Sequence, residues 1–161
     1  MIGYVCKYTP VEVFEAMGVE IRRIQPEVTN FNQADTLMHP NICSFTKSVL
    51  EDVLAGDYEG VVLTTCCDSI RRLYDVLKQQ CPDKFLYLLD VPRKVNDFST
   101  EMYRKNILDM VHAYEAFSGK TFDETVLKQL LERREAGQNL RTAPKNKASV
   151  HIGLMGARCS K

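Results

Sequence analysis

Apolar positions along the chain fall into short continuous runs, separated by longer stretches in which they recur every three or four residues. Residues 2–5, Ile-Gly-Tyr-Val, form a strand-like run. Thr9-Pro10-Val11-Glu12 then has the composition of a helix start, with Thr placed to cap, Pro at the first helical position and Glu at the third. That helix is predicted to stop at Gly18. Residues 20–24 alternate as a second strand ended by Pro26, which makes a strand–helix–strand unit with parallel neighbouring strands. Residues 27–41 lack a clear period and are rich in Asn, Asp and Gln. A loop of that length in a compact domain is usually functional or disordered. Asn41 or Ser44 is placed to cap a helix over 45–55, which Gly56 ends. A third strand is predicted over 61–65, a helix over 69–80, a turn at Pro82-Asp83, and a fourth strand over Phe85–Leu89 closed by Asp90-Val91-Pro92.

Alternating strands and helices of these lengths predict an α/β fold, with a parallel sheet of about four strands covered by helices on both faces in the Rossmann- or flavodoxin-like manner. The character changes near residue 100. Residues 100–117 and 122–135 read as a helical pair around Ser118-Gly119-Lys120, residues 137–147 are polar and basic with Pro144, and 149–154 again read as a strand. The predicted division is an α/β domain over 1–98, a helical pair over 99–136, a linker over 137–148 and the truncated start of a second α/β domain over 149–161. A strand followed by Gly156 and a turn normally feeds another helix, so the chain is expected to be the first part of a longer protein.

Composition narrows the function classes. At 161 residues with 45% apolar and 26% charged side chains, the chain has the material for a globular core. Lys plus Arg equals Asp plus Glu at 21 each, so global charge points neither to nucleic acid nor to a membrane surface. No apolar run reaches the roughly 20 residues of a spanning helix, and the first residues lack the layout of a signal peptide. A cytoplasmic location is the expectation.

The cysteines are the candidate chemistry. They stand at 6, 43, 66, 67, 81 and 159. No Cys-x-x-Cys occurs, which argues against a zinc ribbon, a thioredoxin motif or a ferredoxin run. Topology sorts them instead. Cys6 follows the first strand and the vicinal Cys66-Cys67 follow the third, at the strand ends where open α/β sheets bind ligands. Cys43 begins a helix leading into a strand, which puts it on the same edge. Cys81 precedes the fourth strand and belongs to the opposite edge, and Cys159 follows the fifth. Cys43 and Cys67 also lie within about a turn of helix N-termini, where exposed amides and the helix dipole favour thiolate. Thiolates so placed are ligands for soft metal centres, iron–sulfur clusters above all. Any one of these cysteines could equally be a small buried hydrophobe. His39, His112 and His151 form no metal-spaced pair. Arg71-Arg72 opens the helix after Asp68, either as a solvated face or as an anion contact. No Gly-x-Gly-x-x-Gly, Gly-x-x-x-x-Gly-Lys-Ser/Thr or Gly-x-Ser-x-Gly is present, so phosphate-loop and α/β-hydrolase chemistry have no support.

Several segments together resemble one family. Gly3-Tyr4-Val5-Cys6-x-Tyr8-Thr9-Pro10-x-Glu12, His39-Pro40-x-x-Cys43, Thr65-Cys66-Cys67-Asp68-x-x-Arg71-Arg72, Asp90-x-Pro92 and the helix pair around Ser118-Gly119-Lys120 resemble, in order, the amino-terminal half of 2-hydroxyacyl-CoA dehydratase components. That group includes benzoyl-CoA reductase subunits and double-cubane cluster proteins. The resemblance implies a 4Fe–4S cluster held by three cysteines with one iron open. Two of these match Cys43 and Cys67, and the third lies in the second domain, beyond residue 161. Cys66 stands where a non-ligand residue is expected, so Cys66 and, further off, Cys6 are the alternates. The resemblance further implies an ATP-hydrolysing activator that delivers one electron, and reduction of the thioester carbonyl of a 2-hydroxyacyl-CoA to a ketyl radical. Hydroxide is expelled, the electron is recovered after proton loss, and a 2-enoyl-CoA forms. A homologous dehydratase subunit or a second copy is the implied partner and a CoA thioester the substrate, and a flavin is left open; the anion contact read at Arg71 and Arg72 would then be to the CoA phosphates. The competing readings are an ATP-driven electron-transfer protein of double-cubane type, a benzoyl-CoA reductase-like subunit, and a metal-free α/β binding module.

Overall fold

The computed structural model describes residues 1–28 and 30–139. The predicted fifth strand, Cys159 and the linker from residue 140 onward lie outside the described residues. In chain order the elements are β1 (Ile2–Tyr4), α1 (Val11–Ala16), β2 (Ile21–Arg23), α2 (Asn32–Leu37), α3 (Ser44–Ala55), β3 (Gly60–Thr64), α4 (Asp68–Gln80), β4 (Phe85–Leu89), α5 (Asp97–Ser118) and α6 (Glu124–Asn139). The strands form one all-parallel sheet in the order β2-β1-β3-β4, as the alternation predicts. Ile2 stands opposite both Ile21 and Gly60, and Gly60 opposite Phe85.

The sheet separates two apolar layers because β3, buried along its whole length, points alternate residues to opposite faces. Val61 and Leu63 pack with Val49, Leu50 and Val53 of α3 and with Ile70, Leu73 and Leu77 of α4. Val62 packs on the other face with Phe14 of α1 and with Met110 and Tyr114 of α5. Gly60 has no alternative residue: a Cβ there would stand against the Phe85 carbonyl oxygen and 2.6 Å from the Phe85 Cβ. Helices therefore cover both faces, α1 and α5 on one and α2, α3 and α4 on the other.

The structure departs from the sequence expectations at element ends, each for a local reason. Thr9 does not cap α1. Pro10 is the N-cap residue, no side chain caps it, and the Thr9 hydroxyl is buried without a hydrogen-bond partner. Glu12, expected to complete the capping box, is drawn instead to Arg134 of α6. At the other end Gly18 takes a left-handed φ of 65°, as the predicted stop requires. The helix predicted over 45–55 starts at Ser44 with Cys43 as its N-cap, in place of Asn41 or Ser44. The helix predicted from 100 starts at Asp97, because the Asn96 side chain accepts from the Ser99 amide at 2.8 Å. The predicted loop over 27–41 contains α2, whose first amides are bonded to a carboxylate from α3. Glu51, buried, accepts from the amides of Gln33 at 2.7 Å and Ala34 at 2.8 Å. Helix α6 runs through the predicted linker start at Gly137 as far as Asn139.

Candidate active site at the carboxyl edge of the sheet

β1 and β3 are adjacent, yet the helices that follow them lie on opposite faces: α1 after β1, α4 after β3. This is the topological switch point of an open α/β sheet, where the diverging connections leave a crevice at the strand ends. The β1–α1 connection carries Cys6 and Tyr8. The β3–α4 turn carries Thr65, Cys66 and Cys67.

That turn is fixed from three sides. The Thr65 amide donates to Leu89 O, and its hydroxyl donates to the Asp90 carboxylate while accepting from the Val91 amide at 3.1 Å. Asn106 of α5 donates to Asp90 O at 3.0 Å. Arg71 donates to Thr65 O at 3.3 Å, with its Nε 3.9 Å from the Asp68 carboxylate. Arg71 thus braces the turn through one hydrogen bond, while its Nε is buried without a hydrogen-bond partner. Arg72 lies on the exposed face of α4 and pairs with Asp75 at 2.9 Å.

The two adjacent thiols have different surroundings. Cys67 is the N-cap of α4, exposed, with extended backbone and no side-chain cap bond. Cys66, although the residue is largely exposed, turns its sulfur inward. Thr64 Oγ1 donates to it at 3.1 Å, and the Cys6 thiol lies beside it. Burial pushes the Cys66 thiol above its ordinary pKa; the Thr64 hydroxyl opposes this and Cys6 adds to it. Cys66 is therefore held as the neutral thiol. Cys43 is the exposed N-cap of α3, its sulfur 3.1 Å from Thr46 Oγ1. The turn ahead of it is closed by His39, whose Nδ1 accepts from the Asn41 amide and whose carbonyl accepts from Ile42. Cys43 and Cys67 so occupy the same structural position on two helices that pack side by side on one face of the sheet. Cys81 is buried at the opposite end of α4.

Beside the turn, on the face covered by α1 and α5, is a cleft of about 510 Å³. Tyr8 contributes from the β1–α1 connection and Cys66 from the β3–α4 turn. Val91, Pro92, Arg93 and Lys94 contribute from the β4–α5 connection, and Tyr103 from α5. Tyr103 donates to Tyr8 O at 2.6 Å and so ties the β1–α1 connection to α5. Burial raises its phenol above the ordinary value, which keeps it the neutral donor.

Residues 6–148 match the family model described as 2-hydroxyglutaryl-CoA dehydratase, D-component. The chain belongs to this family. It is also 27% identical over 139 residues to the (R)-phenyllactyl-CoA dehydratase beta subunit of Clostridium sporogenes, an alignment covering 81% of this chain and 36% of that protein. The chain thus spans about a third of the length of this relative.

For a dehydratase-family chain the donor set is informative. Cys43 and Cys67 are soft donors at helix N-termini, a setting that suits thiolate ligation. Among the described residues no group of three His, Cys, Asp or Glu side chains gathers to hold a metal ion. These two thiols fit a cluster only as part of a set completed from elsewhere. Thr65 and Asp90 stand in two separate sequence motifs, and nothing in the sequence pairs them as the structure does. Tyr103 and the Arg93-Lys94 pair carried no signal of their own, because what makes them site residues is the packing of α5 across the strand ends. No helix among the described residues is long and apolar enough to cross a membrane.

Proposed function

We propose that this chain is the amino-terminal, cluster-binding part of a 2-hydroxyacyl-CoA dehydratase subunit that removes water from a 2-hydroxyacyl-CoA to give a 2-enoyl-CoA. Cys43 and Cys67 would hold a 4Fe–4S cluster, with a third cysteine from outside the described residues. The observation that supports this most directly is that both thiols are exposed N-caps of adjacent helices, α3 and α4. When bound, such a cluster supplies the single low-potential electron that the elimination needs. The chain's own residues do the positioning. The starts of the two adjacent helices place Cys43 and Cys67 as their N-cap residues. Thr65, Asp90 and Arg71 hold the turn that presents Cys67, while Thr64 and Cys6 keep Cys66 turned aside. A homologous subunit or second copy and an ATP-dependent activator are the partners this reading requires.

Anaerobic reconstitution of the full-length subunit is expected to give about four iron and four sulfide per chain. Cys43→Ala and Cys67→Ala should each abolish the cluster absorption, and Cys66→Ala should retain it. Unchanged iron in either of the first two variants would overturn the assignment. A protein that holds the cluster yet fails to bind any CoA thioester would be an electron-transfer protein of the double-cubane kind instead.

A further inference from the structure

Cys43 and Cys67 hold matching N-cap positions, but the residue three places on differs between the two helices. In α4 it is Ile70, buried in the apolar layer that α3 and α4 share. In α3 it is Thr46, 0% exposed, with Oγ1 3.1 Å from Cys43 Sγ. Side chains three apart are neighbours on a helix, so the first turn of α3 itself brings this hydroxyl to the sulfur. Cys43 is exposed and Thr46 is not, so the hydroxyl meets the sulfur from the protein side. Ile70 offers Cys67 no such donor. The direction of the Thr46–Cys43 bond depends on the proton of Cys43. Either group can donate while the thiol keeps that proton. A metal-bound cysteine is a thiolate with no proton to give, so the bond then runs from Thr46 to the sulfur. Burial keeps water from competing for the hydroxyl and strengthens the bond.

We infer that Thr46 is a positioning residue that donates a hydrogen bond to the Cys43 thiolate and raises the reduction potential of the centre this thiolate ligates. The ligand role of Cys43 rests on the cluster reading above; the hydroxyl, its burial and its replacement by Ile70 beside Cys67 come from the two helices themselves. The sign follows from charge. Taking up an electron makes the centre more negative, and a donor aimed at a ligand sulfur stabilises the more negative state. Thr46 therefore eases the arrival of the electron, and it does so through Cys43 alone of the two thiols.

The test is a redox titration of the reconstituted full-length subunit followed by EPR, with iron and sulfide measured on the same samples. Thr46→Val keeps the shape of the side chain and removes the hydroxyl. It should keep the wild-type iron content and move the reduction equilibrium about tenfold toward the oxidised form, which for one electron is about 59 mV more negative. Thr46→Ser, which keeps the hydroxyl, should return the potential to the wild-type value. Because Thr46 is fully buried, Thr46→Ala completes a second comparison. Ala and Ser both lack the threonine methyl and only Ala lacks the hydroxyl, so this pair decides the matter if Thr46→Val fails to fold. A merely structural role would move Ala and Ser together, and that result would overturn the inference. So would a wild-type potential in iron-loaded Thr46→Val, which would leave the cluster reading standing. Full iron in Cys43→Ala is a separate outcome: it would overturn the cluster reading and this inference with it.

Discussion

Thr65 is buried, and its one hydroxyl serves two partners: it donates to Asp90 and accepts from the Val91 amide. Replacing it by Val keeps the shape and removes both bonds, leaving the Val91 amide without that acceptor. Thr65→Val should therefore cost about 1–3 kcal/mol in urea unfolding, and Thr65→Ser should recover most of the loss. If the turn is held by its packing alone, Thr65→Val would unfold with the wild-type midpoint. At this scale the sequence showed which residues could do chemistry and much less of what surrounds them. The strand-end position of Cys66 and Cys67 was legible, because an apolar run leads straight into them. Their different surroundings were not. These depend on Thr64 bonding to Cys66 across two residues and on Cys6 arriving from a neighbouring strand.

At the scale of elements, the four strands and the longer helices were legible because each carries its own period and ends at Gly, Pro or a turn. The helix α2 was not, and Glu51 is the reason. Six residues, Asn-Gln-Ala-Asp-Thr-Leu, are too few to be stable as an isolated helix. What holds them is a carboxylate 17 and 18 residues further along the chain, bonded to two of their amides, together with the Lys47–Asp35 pair at 2.6 Å. An acid on the buried face of α3 reads, without that knowledge, as an interruption of its apolar stripe. Glu51→Leu would leave two N-terminal amides of α2 unpaired, so we expect about 2–4 kcal/mol of local destabilisation. Both amides bond the same oxygen, Oε1, so Glu51→Gln, which retains a carbonyl acceptor there, should cost well under half as much. Hydrogen exchange across residues 30–38 is the readout: it should accelerate strongly in Glu51→Leu while exchange in β3 stays slow. Equal protection of α2 in both variants and the wild type would show that the segment is held by its apolar contacts. Cys43 lies at the other end of this connection, so the same variants report whether α2 steadies the His39–Cys43 turn.

The molecule as a whole has a graded architecture, and α6 is its outermost layer. β3 is paired on both sides and buried throughout. By contrast α6 buries no residue completely among those described; Leu127, Leu130 and Arg134 are the half-buried positions along one side. Its polar attachment is Arg134, which pairs with Glu12 and with Glu15 of α1, the latter at 2.7 Å. Because these charges are partly solvated, the cluster contributes on the order of 1 kcal/mol or less to global stability. It has a larger share of the much smaller free energy that keeps α6 docked. Hydrogen exchange should accordingly be slowest in β3 and α4 and fastest in α6. Arg134→Ala should bring α6 close to the exchange rate of an undocked segment, leave β3 and α4 unchanged, and shift the urea midpoint only slightly. Were the midpoint to fall by several kcal/mol equivalents, or β3 to lose protection with α6, the helix would be part of the cooperative core rather than a docked layer. The distinction bears on the site. Glu12 and Glu15 lie on α1, directly after the connection that carries Cys6 and Tyr8, so a docked layer lets α6 move without disturbing the sheet edge. A cooperative α6 would instead be coupled to the sheet edge through α1, and exchange in the connection that carries Cys6 and Tyr8 would then rise in Arg134→Ala.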